Sequence, residues 1–135
     1  MYHKIIIVGN LGRDPEMRYT PQGTPVTTLS VATNRRWTNA DGTPGEETIW
    51  FRVSAWGKQA EVCNQYLSKG RQVLVEGHLK PDPETGGPRI WTRQDGTAGA
   101  SFEVNASVVR FLGGRGEAVE TGPEGEVIEE EEMPF

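Results

Sequence analysis

Residues 47–56 alternate apolar and polar side chains with a period of two, which predicts a β-strand. One face of this strand is apolar and suits a protein core: Ile49, Phe51, Val53 and Ala55. The opposite face carries two tryptophans around an arginine: Trp50, Arg52, Ser54 and Trp56. If the apolar face is buried, the tryptophans lie on an exposed sheet surface.

Two segments before this strand also have strand character. Residues 4–11 form a β-branched run that predicts a strand buried on both faces. Residues 26–37 are rich in β-branched residues but longer than most strands. Leu29 would share a face with Trp37, so we expect either a bulge or a hairpin arm that leaves the core near Thr33.

After residue 57 the periodicity changes to that of a helix. Apolar residues at three- and four-residue spacing predict a helix over residues 58–69, with Gly70 as its C-terminal stop. Residues 72–79 predict a fourth strand, and residues 81–99, rich in Pro and Gly, predict a long loop or mobile hairpin. Alternation then predicts a last strand whose core face is Phe102, Val104, Ala106 and Val108.

Five strands with one helix between the third and fourth form the layout of the OB-fold, a five-stranded all-β barrel. The sequence therefore predicts an OB-fold β-barrel with long hairpin loops over residues 1–112. The apolar run at residues 5–8 is too short for a signal-peptide core or a membrane span. The single cysteine, Cys63, cannot form an internal disulfide, so we expect a cytoplasmic protein.

The charge is distributed unevenly along the 135 residues. Residues 1–115 hold all 14 basic residues and 11 acidic ones, a net charge of +3. Residues 116–135 hold eight glutamates and no basic residue, which brings the whole chain to −5. A mildly basic body joined to a strongly acidic segment indicates two different partners.

Each tryptophan has a basic residue two positions away in the sequence. The pairs are Arg35 with Trp37, Arg52 with Trp50, Lys58 with Trp56, and Arg89 and Arg93 with Trp91. A nucleic-acid strand alternates base π-faces with phosphates, so aromatic rings interleaved with cations match it without reading base edges. For one tryptophan, a role in covering a small core explains the pattern as well; its fourfold repetition favours a nucleic-acid-binding surface.

Enzymatic function finds no support in the sequence. Gly57-Lys58 is followed by Gln59, so no phosphate-binding loop is present, and His3 and His78 have no metal-ligand spacing. Cys63 belongs to the apolar helix stripe rather than to a nucleophile site. We therefore expect a protein that is not an enzyme and uses no cofactor or metal. An OB-fold that binds RNA, or one that serves a replication-restart complex, remains an alternative.

The sequence resembles the bacterial single-stranded DNA-binding protein family. The motifs that carry the resemblance are IVGNLGRDPE at residues 7–16, WFRV at 50–53, WGK at 56–58 and VEG at 75–77. It implies a homotetramer of OB-folds around which single-stranded DNA wraps during replication, recombination and repair, in the nucleoid region of the cytoplasm. The family's stacking positions fall on Trp37, Trp50, Trp56 and Trp91. Its basic positions match Lys4, Arg18, Arg52, Lys58 and Lys69, and local spacing adds Arg35, Arg89 and Arg93.

The resemblance resumes at residues 129–135, which read EEEEMPF. In the family, an acidic run that closes in Pro-Phe docks on replication, recombination and repair enzymes. The resemblance thus implies partner binding by Glu129, Glu130, Glu131, Glu132, Met133, Pro134 and Phe135. Residues 113–128 would form a flexible linker, and the whole acidic tail would be disordered. A tail that only maintains solubility is the alternative, but it has no need of Met-Pro-Phe.

Overall fold

The computed structural model describes residues 1–113; residues 114–135, which include the predicted tip and nearly all of the linker, lie outside them. The described part contains seven strands and one helix. They are β1 (Ile5–Leu11), β2 (Glu16–Tyr19), β3 (Pro25–Thr38), β4 (Pro44–Trp56), α1 (Gly57–Tyr66), β5 (Gln72–Leu79), β6 (Arg89–Thr92) and β7 (Ala98–Leu112).

Five of these strands close into a barrel in the order β1-β5-β7-β4-β3, and β3 pairs back with β1 at Asn10↔Ala32 and Leu11↔Val31. With α1 between β4 and β5, this confirms the predicted all-β OB-fold. The short strand β2 was not predicted, and β6 lies in the segment predicted as a loop or hairpin; the two strands pair with β3 and β7. Among residues 1–113, no helix has the length and apolarity needed for a membrane span.

The barrel is filled by alternate side chains of its strands, and α1 closes one end. The fully buried core residues include Leu29, Val31, Val53, Val73, Val75 and Val104. From the helix, Ala60 and Cys63 reach this core, and Thr27 Oγ1 donates a 2.7 Å hydrogen bond to the Ala60 carbonyl. That bond satisfies a hydroxyl that would otherwise be buried without a partner.

The helix is shorter than predicted and ends at Tyr66 rather than at Lys69. Leu67 adopts extended backbone angles (φ −100°, ψ 154°), which directs its side chain into the core. The amide of Lys69 then donates a 2.8 Å hydrogen bond to Asp14 Oδ1. Tertiary contacts thus end the helix before the predicted stop at Gly70.

The prediction that β1 is buried on both faces is wrong for the single chain. Its inward residues, including Ile7 and Leu11, are buried, but Ile6 is 61% exposed and Val8 40%. From Ile5 to Asn10 the strand pairs with β5 on one side, and β3 reaches its other side only at the end. An apolar strip beside a largely free strand edge results.

The predicted core face of the last strand is also partly wrong. Val104 is buried, but Phe102 is 55% exposed because β7 leaves the barrel there to pair with β6. A bulge places Ser107 between the pairs Gly77↔Ala106 and Glu76↔Val108, which reverses the alternation. Beyond the bulge the core is therefore filled by Val109 and Phe111 rather than by Val108.

Strands β3 and β4 pair without interruption from Val26↔Trp56 to Thr38↔Pro44. There is no bulge, so the second expectation for β3 is confirmed: from Asn34 onward its residues are exposed and form a hairpin arm. A second arm is formed by β6 and the start of β7, within the segment predicted as a loop or hairpin.

Candidate nucleic-acid interface

Side chains of β4 alternate between the barrel interior and the surface, as predicted. Val53 and Ala55 are fully buried in the barrel, whereas Trp50 is 54% exposed and Trp56 42%. Arg52 lies between the two tryptophans on the outward face. The apolar face is fixed by the core, and this fixes the outward direction of both indole rings.

A cleft opens where the two arms separate. Strands β4 and β7 are hydrogen-bonded only from Phe51↔Phe102 to Ser54↔Asn105, and beyond this pairing the two arms diverge. The cleft between them has a volume of about 830 Å³. Its lining includes Arg13, Trp50, Arg52, Arg89, Trp91 and Phe102. Aromatic rings and cations thus line one groove together.

Three of the tryptophans share one face of the sheet. Arg52 lies beside Glu103 in the parallel pair, so Trp50 and Trp56 point to the same side as Glu103. On the second arm, Trp91 is paired with Gly99, which has the same parity as Glu103. The register therefore brings Trp91 from a distant segment onto the face that carries Trp50 and Trp56.

Trp37 lies on the other face of the first arm. The uninterrupted register pairs it with Gly45, and odd-numbered residues of β3 and β4 point away from the side of Trp50. Its indole Nε1 donates a 2.8 Å hydrogen bond to Asn39 Oδ1, and the Arg35 guanidinium lies 5.0 Å from the ring centroid. A strand that contacts all four rings has to pass around this arm.

Trp56 is anchored by a side chain that sequence reasoning did not identify. Its Nε1 donates to Asn105 Oδ1 at 3.3 Å. Arg18 on β2 is opposite Val26, which is opposite Trp56, so a cation and the ring lie in one row across three strands. Lys58, two residues beyond the ring, is exposed at the start of α1.

Several of the predicted basic residues have acidic partners. Lys4 Nζ is 2.9 Å from Glu76 Oε1, and this hydrogen bond raises the pKa of the lysine. Lys4 does not line the cleft. Arg35 Nε is 3.2 Å from Glu47 Oε2. Both partners are exposed in the second pair, so phosphate can compete for the arginine.

The remaining two predicted cations lie apart from the cleft lining. Arg93 donates to the Ala98 carbonyl and to Thr97 Oγ1 at the tip of the second arm. The side chain of Lys69 is exposed. Its backbone amide donates a hydrogen bond to Asp14, which follows β1.

Glu103 is the most notable residue that the sequence did not predict for the site. Its side chain is only 6% exposed, beneath Arg52 Nε at 3.9 Å and Arg89 Nη1 at 3.4 Å. Ser101 Oγ donates to the same carboxylate oxygen at 2.9 Å. Arg13 and Phe102 line the cleft and were likewise missed. Arg13 stands in the quoted motif at residues 7–16, which was the available signal.

The two histidines contact each other, and the cysteine is buried. His3 and His78, 75 positions apart in sequence, are edge-to-face with centroids 5.9 Å apart, and the Leu79 amide donates to His3 Nε2 at 2.9 Å. Burial raises the pKa of the Cys63 thiol to about 12, so it is protonated at neutral pH and inert as a nucleophile.

Residues 2–112 match the single-strand binding protein family. The chain is 40% identical over 126 residues to the single-stranded DNA-binding protein of Wolinella succinogenes, covering 93% of this chain and 73% of the relative. It is 44% identical over 115 residues to that of Xanthomonas axonopodis pv. citri, covering 85% and 60%. The chain thus spans between 60% and 73% of the length of these curated relatives.

Solved structures show the same likeness. A Plasmodium falciparum SSB in complex with ssDNA superposes with a TM-score of 0.64 at 25% identity, covering 84% of this chain and 96% of that one. The wild-type single-stranded DNA binding protein from Thermus aquaticus gives a TM-score of 0.62 at 31% identity, covering 84% and 51%. The family match covers most of the chain, and the fold is an OB-fold with the expected motifs. This chain therefore belongs to the single-strand binding protein family.

Proposed function

We propose that this chain binds single-stranded DNA without sequence preference and protects it during replication, recombination and repair. The observation that carries this proposal is the face shared by Trp50, Trp56 and Trp91 around a cation-lined cleft. Bases stack on these rings, and every base has a π-face, so stacking tolerates any sequence. Proteins of this family are not enzymes, and membership supports the sequence expectation that this chain performs no catalysis.

Phosphate neutralisation supplies the second part of the binding energy. Arg13, Arg52 and Arg89 line the cleft, and Arg18 and Lys58 flank Trp56. Each phosphate contact releases condensed counterions, so affinity falls as salt concentration rises. Lys4, Lys69 and Arg93 lie outside the cleft lining and would contact DNA only along a path that continues around the domain. Arg35 and Trp37 would meet the strand on the reverse side of the first arm.

Homotetramer formation is part of the proposal. Its support is the apolar strip of Ile6 and Val8 beside the free edge of β1. Sequence periodicity indicates a strand buried on both faces, whereas the single chain buries only one. A second copy of the chain that covers this strip reconciles the two, because an exposed apolar edge strand otherwise invites uncontrolled pairing.

Recruitment of replication, recombination and repair enzymes through residues 129–135 completes the proposal. The support is chemical: Phe135 and Met133 offer an apolar anchor, and four glutamates would steer the segment toward a basic rim.

A binding comparison tests the DNA assignment. Fluorescence anisotropy with labelled dT, rU and duplex oligonucleotides of equal length should give the tightest binding to dT, weak binding to duplex, and a decline with salt for all three. Equal or tighter binding to rU would favour the RNA-binding alternative, because stacking alone does not discriminate the 2′-hydroxyl. Tightest binding to the duplex would contradict the proposal.

A further inference from the structure

On each arm, a tryptophan lies directly against a glycine of the neighbouring strand. Trp37 is opposite Gly45, and Trp91 is opposite Gly99. A Cβ atom placed on Gly45 would be 2.3 Å from Trp37 Cε2, and one on Gly99 would be 2.8 Å from Trp91 Cε2. Both distances are too short for two carbon atoms, so each indole ring occupies the space that a side chain there would fill. At Gly99 the Arg93 Cζ atom, 3.0 Å from that Cβ, shares this space.

The two arms repeat one sequence pattern. Residues 35–45 and 89–99 both read Arg-x-Trp-Thr-x-x-Asp-Gly-Thr-x-Gly. Both turns are closed by the same hydrogen bonds, from the amide of Asn39 to the Thr43 carbonyl at 2.8 Å and from that of Arg93 to the Thr97 carbonyl at 2.7 Å. Because the turn fixes the register, the tryptophan of each pattern must face its final glycine.

The same arrangement occurs once more at the barrel. A Cβ atom on Gly12 would lie 2.4 Å from Trp50 Cζ3 and 2.5 Å from its Cη2. Gly12 precedes β2 and is held by its amide, which donates to the Ser30 carbonyl at 2.9 Å. Three of the four tryptophans thus rest on glycines, while Trp56 is held by Asn105.

Backbone conformation does not explain these glycines. Gly42 and Gly96 in the turns have φ near +90°, which requires glycine. Gly12, Gly45 and Gly99 have no positive φ. Within a strand, as at Gly45 and Gly99, glycine lowers stability and marks a close approach of another group, which here is the ring.

We propose that Gly12, Gly45 and Gly99 are positioning residues for DNA binding, each seating one tryptophan ring against the backbone, which holds the ring in place for a base to stack on it. The inference rests on the proposed function. A ring that is already seated loses little rotamer freedom when a base stacks on it, so more of the stacking energy appears as affinity.

Alanine substitutions on the arms test the inference. Gly45→Ala and Gly99→Ala should each weaken dT binding by roughly five-fold or more, the lower end of the loss of one stacked base. Tryptophan emission of the DNA-free variants should change as the ring leaves its seat. The barrel should remain folded by circular dichroism, because both rings are exposed on the arms and can move without disturbing the core. Gly87→Ala is the matched control: its Cβ would meet nothing closer than Thr85 Oγ1 at 3.6 Å.

A double-mutant cycle shows whether the glycine acts through the ring. In a Trp37→Ala background, Gly45→Ala should cause no further loss of affinity, and likewise Gly99→Ala in a Trp91→Ala background. If Trp37→Ala and Trp91→Ala weaken binding but Gly45→Ala and Gly99→Ala do not, the seating inference is wrong and the proposed function stands. If neither tryptophan variant weakens binding, stacking on the arms is contradicted. Gly45 and Gly99 then have no positioning role in DNA binding either.

Discussion

Glu103 and Arg89 form an ion pair in the floor of the cleft, with 3.4 Å between Oε2 and Nη1. The carboxylate is almost fully covered, while Arg89 and its neighbour Arg52 remain about half exposed. A buried negative charge therefore lies directly under two cations that face the groove. This charge holds the arginines in place and also weakens their attraction for phosphate.

Glu103→Gln removes that charge while keeping the shape of the side chain. We expect dT binding to strengthen at low salt, because both arginines become available to phosphate. The plot of log affinity against log salt should steepen by about 0.7 for each additional phosphate contact. Glu47→Gln, which frees Arg35 on the first arm outside the cleft, is the comparison variant. Weaker binding by Glu103→Gln would mean that holding the arginines matters more than their free charge.

Trp50→Ala and Trp56→Ala should each weaken binding to dT by about 1–3 kcal/mol, the value of one stacked base. Both rings are roughly half exposed, so the domain should remain folded. Circular dichroism and calorimetric melting check the fold, and Trp50→Phe, which keeps an aromatic face, should retain most of the affinity. A variant that unfolds would show that the ring is a core residue, contrary to its place in the cleft.

Ile6→Glu should break the oligomer. Ile6 is exposed in the single chain and lies opposite Glu76, so a partner that covers this strip would have to bury a second carboxylate beside the first, which is costly. Light scattering after size-exclusion chromatography should show four chains for the natural sequence and fewer for the variant. Tyr19→Glu is the control, since Tyr19 is equally exposed but lies on β2. A natural chain that elutes as a monomer would contradict the proposed interface.

The tips of both arms should loosen in acid. Hydrogen bonds from the Thr43 hydroxyl and amide lower the pKa of Asp41, and the Thr97 amide and hydroxyl lower that of Asp95. A lowered folded-state pKa stabilises the turn fully above the ordinary aspartate value, and this stabilisation is lost as pH falls through the folded value. Loosening is therefore confined to pH below about 4.

Amide protection factors from hydrogen exchange measure this effect at Thr43 and Thr97. Thr24 provides an internal control, because its amide donates to the hydroxyl of Thr20, which does not titrate in this range. Protection at Thr43 and Thr97 should fall in acid more than at Thr24. A parallel decline at all three amides would show that the carboxylates contribute nothing specific.

Cys63 should be unreactive in the folded protein. Desolvation raises the pKa of its thiol to about 12, so almost no thiolate forms at pH 8. A thiol reagent should label the chain only after unfolding. Because the unfolded thiol ionises at lower pH than the folded one, its contribution to stability is lost as pH rises above the ordinary thiol value. Rapid labelling of the native chain would mean that α1 opens far more readily than its buried packing indicates.

The sequence alone predicted the barrel because its core residues recur at strand and helix spacing. Val53 and Ala55 point inward in β4, and this local alternation was enough to place Trp50 outward. The assignment of Phe102 and Val108 to the core face of the last strand was wrong, for reasons that no local sequence pattern shows. One lies where β7 leaves the barrel, and the other follows a bulge that only pairing with β5 reveals.

The same distinction applies to the cleft. Glu103 looks in sequence like an ordinary outward polar residue, since its cover comes from Arg52 on another strand and Arg89 on another arm. The opposition of Trp37 and Gly45 depends on the register of a turn, so alternation along one strand could not show it. Contacts between distant segments therefore account for most of what sequence reasoning missed.

We propose above that the tryptophans are stacking surfaces for single-stranded DNA. Titration of the full chain with poly-dT, followed by intrinsic tryptophan fluorescence at low and high salt, tests it most directly. We expect strong quenching that saturates at a fixed number of nucleotides per chain, with weaker binding but similar final quenching at high salt. Binding without quenching would show that the rings support the fold and do not contact the bases.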